Sequence, residues 1–439
     1  MGTPDLAPAS VILLLLSTQL SLLLPGASAG TYWGDVEVLK RLKNALDPSS
    51  VSPGSCVASW DFAAAADPCD ALFSDKFTCG FRCDAIDGSG ASRLTELALD
   101  QAGYSGPLAS VSWDLPYLQT LDLSGNYFAG PIPASLSNLT QLSRLGLSRN
   151  SLSGPIPDSV SSLSSLGELY LDGNALEGSI PSSLGNLTNL TRLEVQSNKL
   201  SGELPAALSS LGSLLYLDAS DNAISGELPR ALPPSLVQLT MRNNALEGQL
   251  APETFQLASS LQVLDLSGNR IAGPVPSALF THPSLQQLTL SSNGFDSIQS
   301  PASLFPESEL IAVDLSDNRI MGLLPAFLAG MPRLSALALE NNEFSGMIPT
   351  EYALRAAAQP AQGAARLERL MLGGNYLMGP IPGPLLGLGQ GGGGGEEEEV
   401  RVSLAGNCLY RCPARFFFCQ GGDQRSAAEC KSFFGPVIP

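Results

Sequence analysis

A repeating pattern constrains this chain more than any other feature. Leu118-x-x-Leu121-x-Leu123-x-x-Asn126 returns as Leu142, Leu145, Leu147 and Asn150, and again as Leu166, Leu169, Leu171 and Asn174. The asparagine series runs on through Asn198, Asn222, Asn244, Asn269, Asn293, Asn318, Asn342, Asn375 and Asn407. The step is mostly 24 residues, with 22 and 25 among them. An earlier unit, Leu94, Leu97 and Leu99, has Ala102 at the asparagine position and brings the count to thirteen. A period of this length marks one supersecondary unit that cannot bury its apolar face alone and is stable only when stacked on its neighbours.

Each position has a physical reading. The last two leucines of Leu-x-x-Leu-x-Leu stand two apart, so they share one face of a short strand, and that face is the core. The residues between them point the other way, to the concave side. Parallel strands stacked about 4.8 Å apart make thirteen of them an arc on the order of 60 Å long. The asparagine amide both donates and accepts, and is expected to form a buried ladder with the backbone of adjacent turns. A second signature follows it, as in Leu152-Ser153-Gly154-Pro155-Ile156-Pro157 and Leu200-Ser201-Gly202-Glu203-Leu204-Pro205. Glycine permits the turn, and proline sets the backbone for the return leg. Segments such as Ala134–Leu139 then suit a short helical turn on the convex side. Gly248-Gln249-Leu250-Ala251 and Asp296-Ser297-Ile298-Gln299 lose the glycine or proline, so a local bulge or kink is expected there. Longer steps of 33 and 32 residues, from Asn342 to Asn375 and on to Asn407, place inserts near 353–366 and 387–399. The second insert carries a glycine run and Glu396–Glu399, which reads as a solvated loop.

Composition narrows function. A formal charge of −18 removes the basic footprint that a nucleic-acid binder needs to displace counterions. A single histidine, His282, leaves no inventory for serine–histidine triads or multi-histidine metal sites, and it reads as an ordinary residue of one repeat. Carboxylates on an open, wet face lack the enclosed pocket that shifts a pKa for catalysis, so the chain is read as a non-enzyme without cofactor or metal.

The ends carry the address and the caps. Val11–Leu24 is apolar, Pro25-Gly26 breaks it, and Ala27-Ser28-Ala29 offers the small residues that a signal peptidase reads, so 1–29 is expected to be a signal peptide. No later stretch is apolar for long enough to span a bilayer. Cys56, Cys69, Cys79 and Cys83 precede the repeats, and Cys408, Cys412, Cys419 and Cys430 follow them. On a secretory route these read as two disulfides at each end, with three pairings open in each cluster. The expected organisation is thus an N-terminal cap at 30–91, a solenoid at 92–407 and a cysteine-rich C-terminal cap at 408–439.

The Leu-x-Gly-x-Ile-Pro element within a period of 24 resembles the plant-specific extracellular leucine-rich repeat of receptor kinases, receptor-like proteins and polygalacturonase-inhibiting proteins. Asp35–Leu46 resembles the amphipathic helix of that family's N-terminal cap, and Ser59-Trp60 and Asp67-Pro68-Cys69 resemble its next two marks. The resemblance implies an α/β repeat solenoid, curved, with a parallel concave β-sheet of about 13 repeats and disulfide-containing caps at both ends. It also implies secretion to the extracellular space or cell wall, glycosylation, and binding of an extracellular peptide or protein, including a receptor kinase ectodomain. Kinase-bearing members add a membrane span and a kinase, which this sequence lacks, so the secreted, kinase-less members are the nearer likeness.

Three sequons begin at Asn138, Asn186 and Asn189, all expected on the convex or lateral side, which leaves the concave face free of glycan. On that face the richest stretch is central: Arg144, Glu168, Tyr170, Asp172, Arg192, Glu194, Gln196, Tyr216, Asp218, Gln238 and Arg242. Tyrosine and arginine are the residue types most enriched at binding hot spots, so this stretch is the candidate partner-binding surface. The alternatives are an inhibitor of a secreted wall-degrading enzyme and a structural wall or ice-associated protein. The latter would favour regular, uncharged ridges, against which Tyr170, Arg192 and Glu194 argue.

Overall fold

A computed structural model of the chain describes residues 29–63, 66–302, 308–357, 364–388, 400–413, 415–420 and 422–434. The apolar leader and the glycine–glutamate insert lie outside them. One short strand per unit, from Glu96–Ala98 to Arg401–Ser403, builds a parallel inner sheet in strict chain order. Residues pair with their equivalents in the next unit: Leu121 with Leu145, Leu169 with Leu193, Leu193 with Leu217. Because the register never slips, the inward leucines stack into one continuous core, almost all of them fully buried. Each contributes about 1.5–3 kcal/mol relative to exposure, which is what holds units with so few aromatics together.

The asparagines form the expected ladder. Asn150 Nδ2 donates to Leu147 O and Ser148 O of its own unit, both at 3.2 Å, and to Leu123 O of the unit before, at 3.0 Å. Its Oδ1 accepts from Phe128 N at 3.0 Å. The same bonding recurs down to Asn407. The residue before each rung adopts a left-handed conformation. Glycine supplies it at Gly125, Gly173, Gly268, Gly374 and Gly406, but Arg149 (φ 52°) and Ser197 (φ 55°) adopt it too. The ladder imposes that conformation on residues whose own preference is against it. A final rung comes from the C-terminal cap: Gln424 Oε1 accepts from Leu409 N at 3.2 Å while its Nε2 donates to Leu404 O at 3.1 Å. No asparagine spacing points to it.

The second signature forms a lateral row of strands, and the row breaks where the motif fails. Seven strands end at Ala245–Leu246, just before Gly248-Gln249. A separate pair, Ala272–Val275 with Gly294–Ile298, shifts register across Asp296. Four more strands follow from Met321–Leu323 to Cys408–Tyr410.

The two ends are closed differently. At the N-terminus Phe81–Arg82 pairs antiparallel with Glu96–Ala98 and covers the open sheet edge, while the helix Trp33–Ala45 packs over the first unit. The disulfides there are Cys56–Cys79 and Cys69–Cys83. At the C-terminus Phe418 O accepts from Leu404 N at 2.7 Å, and Cys408–Cys430 and Cys412–Cys419 close the cap. All eight cysteines are thus paired within their own clusters.

The first insert is not loop throughout. Its opening residues extend a helix, Thr350–Ala357, whose Tyr352, Ala353 and Ala356 are fully buried. Small alanines let the helix lie close against the preceding unit, and residues 358–363 fall outside the described part of the chain.

Candidate functional site

The register decides which concave residues meet. Arg144, Glu168, Arg192 and Tyr216 stand in one row across four adjacent strands, and Gly146, Tyr170, Glu194 and Asp218 in the next. Two similar clusters form within this band. Arg144 reaches Asp122 at 3.6 Å, pairs with Glu168 and lies over the Tyr170 ring at 4.4 Å, while Tyr170 Oη donates to Glu168 at 3.0 Å. One unit on, Arg192 pairs with Glu194 at 2.8 Å and lies over the Tyr216 ring at 4.1 Å. Gln196 Nε2 donates to Glu194 at 3.4 Å, and Gln196 Oε1 is buried without a partner among the described residues. Gly146 leaves room here: a Cβ on it would lie 2.7 Å from Asp122 Oδ1 and push aside the carboxylate that Arg144 uses.

Partial burial alone would depress the Arg144 guanidinium, but its bonds to Tyr170 and Glu168 and their charge outweigh that and raise it. For Arg192 the bond to Glu194 is the largest cause of the same upward shift. Partial burial, against the opposing bond from Arg144, pushes the Tyr170 hydroxyl up, so it stays a neutral donor. Both guanidinium groups are therefore held charged and in place, with rings and carboxylates fixed around them. Such order lowers the side-chain entropy that a partner would otherwise have to remove on binding.

The remaining candidates are less involved. Asp172 accepts from Ser148 Oγ in the same band. Asp218 accepts from Ser220 N at 2.9 Å and so shapes its own turn, as Asp265 and Asp314 do in theirs. Gln238 bonds Thr240 at 3.2 Å, and Arg242 pairs with Asp221 at 3.5 Å, away from the band. Further along, the same rows hold Ala312, Ala336 and Ala338, and then Arg369, Met371, Arg401 and Ser403. The two Arg–Tyr clusters span the units from Asp122 to Asp218.

Asn138, Asn186 and Asn189 are exposed beside the convex 3-10 turns Ala134–Asn138 and Ser182–Asn186. His282 is buried at 5% exposure. Its Nδ1 accepts from Ser284 N at 3.3 Å, which makes Nε2 the donor to Ala258 O at 3.1 Å, and burial lowers its pKa. It ties two units together and faces no ligand groove on the concave side. Among the described residues no group of three His, Cys, Asp or Glu side chains converges to hold a metal, and no helix is long and apolar enough to cross a membrane.

Residues 97–345 match the leucine-rich repeat region family model. Among solved structures, the chain is similar to the plant peptide hormone receptor RGFR1 in complex with RGF2, at 27% identity and a TM-score of 0.64 over 75% of this chain and 51% of that one. It thus spans about half the length of that receptor chain. A second likeness is the ectodomain of the Arabidopsis receptor kinase HAESA in complex with an extended IDA peptide hormone, at 25% identity, TM-score 0.53, and 90% and 77% coverage. A third is a plant ice-binding protein, at 26% identity, TM-score 0.52, and 73% and 89% coverage. No curated protein sequence matches the chain significantly.

Proposed function

The chain belongs to the leucine-rich-repeat family, and from that premise we propose that it is a secreted extracellular recognition protein that binds a peptide or protein partner across its central concave band. The observation that carries this reading is the pair of adjacent Arg–Tyr–carboxylate clusters at Arg144–Tyr170 and Arg192–Tyr216, on neighbouring strands of the concave sheet. Hot spots are built from ordered tyrosine and arginine. The fold shared with two peptide-hormone receptor ectodomains supports a peptide, or a receptor ectodomain carrying one, as the occupant. The band holds Asp122, Glu168, Asp172, Glu194 and Asp218 against two arginines, so its field favours a partner with basic groups and an affinity that falls with salt. Signalling or defence is the role this assigns.

A second reading, a structural or ice-associated wall protein, is favoured by the likeness to the plant ice-binding protein. It calls for a regular uncharged ridge, which the charged band interrupts.

The test is capture of partners from extracellular and membrane fractions by the mature protein and by a Tyr170→Ala, Arg192→Ala, Tyr216→Ala variant. A partner retained by the first and weakened more than about tenfold in the second supports the concave band, since hot-spot truncations cost about 2 kcal/mol or more. Equal capture by both moves the site off the band. Capture by neither turns the reading to the structural one. An unchanged melting temperature in the variant separates lost contact from lost fold.

A further inference from the structure

Between the helix Trp33–Ala45 and the first unit lies a cleft of about 340 Å³, walled by Tyr32, Trp33, Glu37, Arg41, Ser112 and Asp114. Trp33 is 73% exposed, whereas Trp60 and Trp113 are buried in the core. Its ring lies beside Tyr32, with centroids 5.7 Å apart. Gly34 makes room for this pair, since a Cβ there would sit 2.6 Å from the Tyr32 ring. An indole left in water beside a second ring is an apolar face waiting for cover.

Glu37, Arg41, Ser112 and Asp114 make the rest of this wall polar. Arg41 Nη1 donates to Ser112 Oγ at 2.9 Å, and Ser112 Oγ donates to Asp114 Oδ2 at 3.3 Å. The other carboxylate oxygen, Asp114 Oδ1, accepts from Asn138 Nδ2 at 2.8 Å. Asn138 opens the sequon Asn138-Leu139-Thr140 and is exposed. A glycan acceptor thus stands one hydrogen bond from a cleft lined by aromatic rings together with carboxylate, guanidinium and hydroxyl groups. That combination suits a pyranose, whose C–H face packs on a ring while its hydroxyls take up the polar groups.

We propose that the first sugars of an N-linked glycan on Asn138 fold back into this cleft and cover Trp33, so that the glycan completes the packing of the N-terminal cap. Transfer from a lipid-pyrophosphate carrier forms a bond from the sugar C1 to Asn138 Nδ2 and breaks the C1–O bond to the pyrophosphate, which leaves. The displaced Nδ2 proton goes to solvent. The second Nδ2 hydrogen stays and continues to donate to Asp114, which orients the first sugar. The inference needs the secretory route of the preceding reading but no partner, so loss of the concave-band reading leaves it untouched.

Because the other two tryptophans are buried, quenching of fluorescence by acrylamide reports on Trp33. Protein expressed through a eukaryotic secretory pathway should show weak quenching. Asn138→Gln, or removal of the glycan by an amidase, should raise quenching several-fold, and Asn186→Gln with Asn189→Gln should not. Trp33→Ala should abolish the difference. The glycan on Asn138 should also raise the melting temperature by a few degrees in the parent and not in Trp33→Ala. Equal quenching with and without that glycan overturns the proposal, as does an unoccupied Asn138 in peptide mass mapping.

Discussion

The regular units from Leu118 to Leu246 and the expanded units after Asn342 share the same inner strand and the same asparagine rung, yet they are held together differently. In the regular region the convex side is covered by stacked 3-10 turns such as Ala134–Asn138 and Asp158–Ser162, each closed by its own backbone bonds, as from Leu136 N to Pro133 O and Leu139 N to Leu136 O, both at 3.1 Å. Its charged residues stay on the surface, where they are free to serve a partner. In the expanded region the extra residues bring an arginine inside. Arg355 is 8% exposed and donates to Ala329 O, Met331 O, Leu334 O and Ala365 O, at 2.5–3.0 Å, with no carboxylate paired to it among the described residues. Burial lowers its pKa, and its Nε has no partner. At this insert one long side chain thus supplies bonds that a turn of standard length makes for itself.

The largest expected effect tests that contrast directly. Arg355→Met leaves three buried carbonyls and one half-buried one without this donor, at about 1–3 kcal/mol for each group that finds no water. It should lower the urea midpoint strongly, with the C-terminal units unfolding first because neighbouring repeats hold one another only in sequence. Arg144→Met, in the regular region, removes a partly exposed ion pair and should cost no more than about 1 kcal/mol. Equal losses would break the contrast.

A smaller effect distinguishes the middle of the ladder from its end. Asn198→Ala removes three donated bonds and the acceptor for Leu176 N, and should cost about 2–4 kcal/mol in chemical denaturation. Gln424→Ala removes two bonds from a half-exposed rung and should cost about 1 kcal/mol. If Gln424 proves as costly as Asn198, the cap is holding the array and not merely ending it.

The smallest effect concerns His282, which lies between the two regions. Its folded pKa is below the ordinary value of 6.5, so below that value the unfolded chain binds more protons than the folded one. Stability should be flat above pH 6.5 and should decline as pH falls through that value toward the depressed folded one. His282→Gln should flatten that component in pH-dependent thermal unfolding, and an unchanged slope would show that the ring protonates without strain.

Much of this was legible in the residues. The period, the strand leucines and the asparagine rungs follow from spacing alone. So do the lateral breaks beside Gly248 and at Asp296, because each depends on a residue and its equivalent one unit away. The candidate concave stretch was legible as a set of residue types but not as clusters. Whether Arg144 turns to Glu168, Asp122 or the Tyr170 ring depends on rotamers across strands, on which a linear pattern is silent. Arg355 reads as an exposed helix residue until its helix packs, and the left-handed backbone at Arg149 and Ser197 carries no local signal.

By itself, then, the sequence determined the number of units, their stacking and the inward face, because apolar spacing and a bonding amide act locally and identically in every turn. Only the tertiary structure decided the disulfide pairings, the Gln424 rung, the carbonyl cage of Arg355 and the paired guanidinium groups of the concave band. The first three join residues whose separation in the chain has no fixed relation to their separation in space, and the last depends on which of several partners within one repeat each guanidinium turns to.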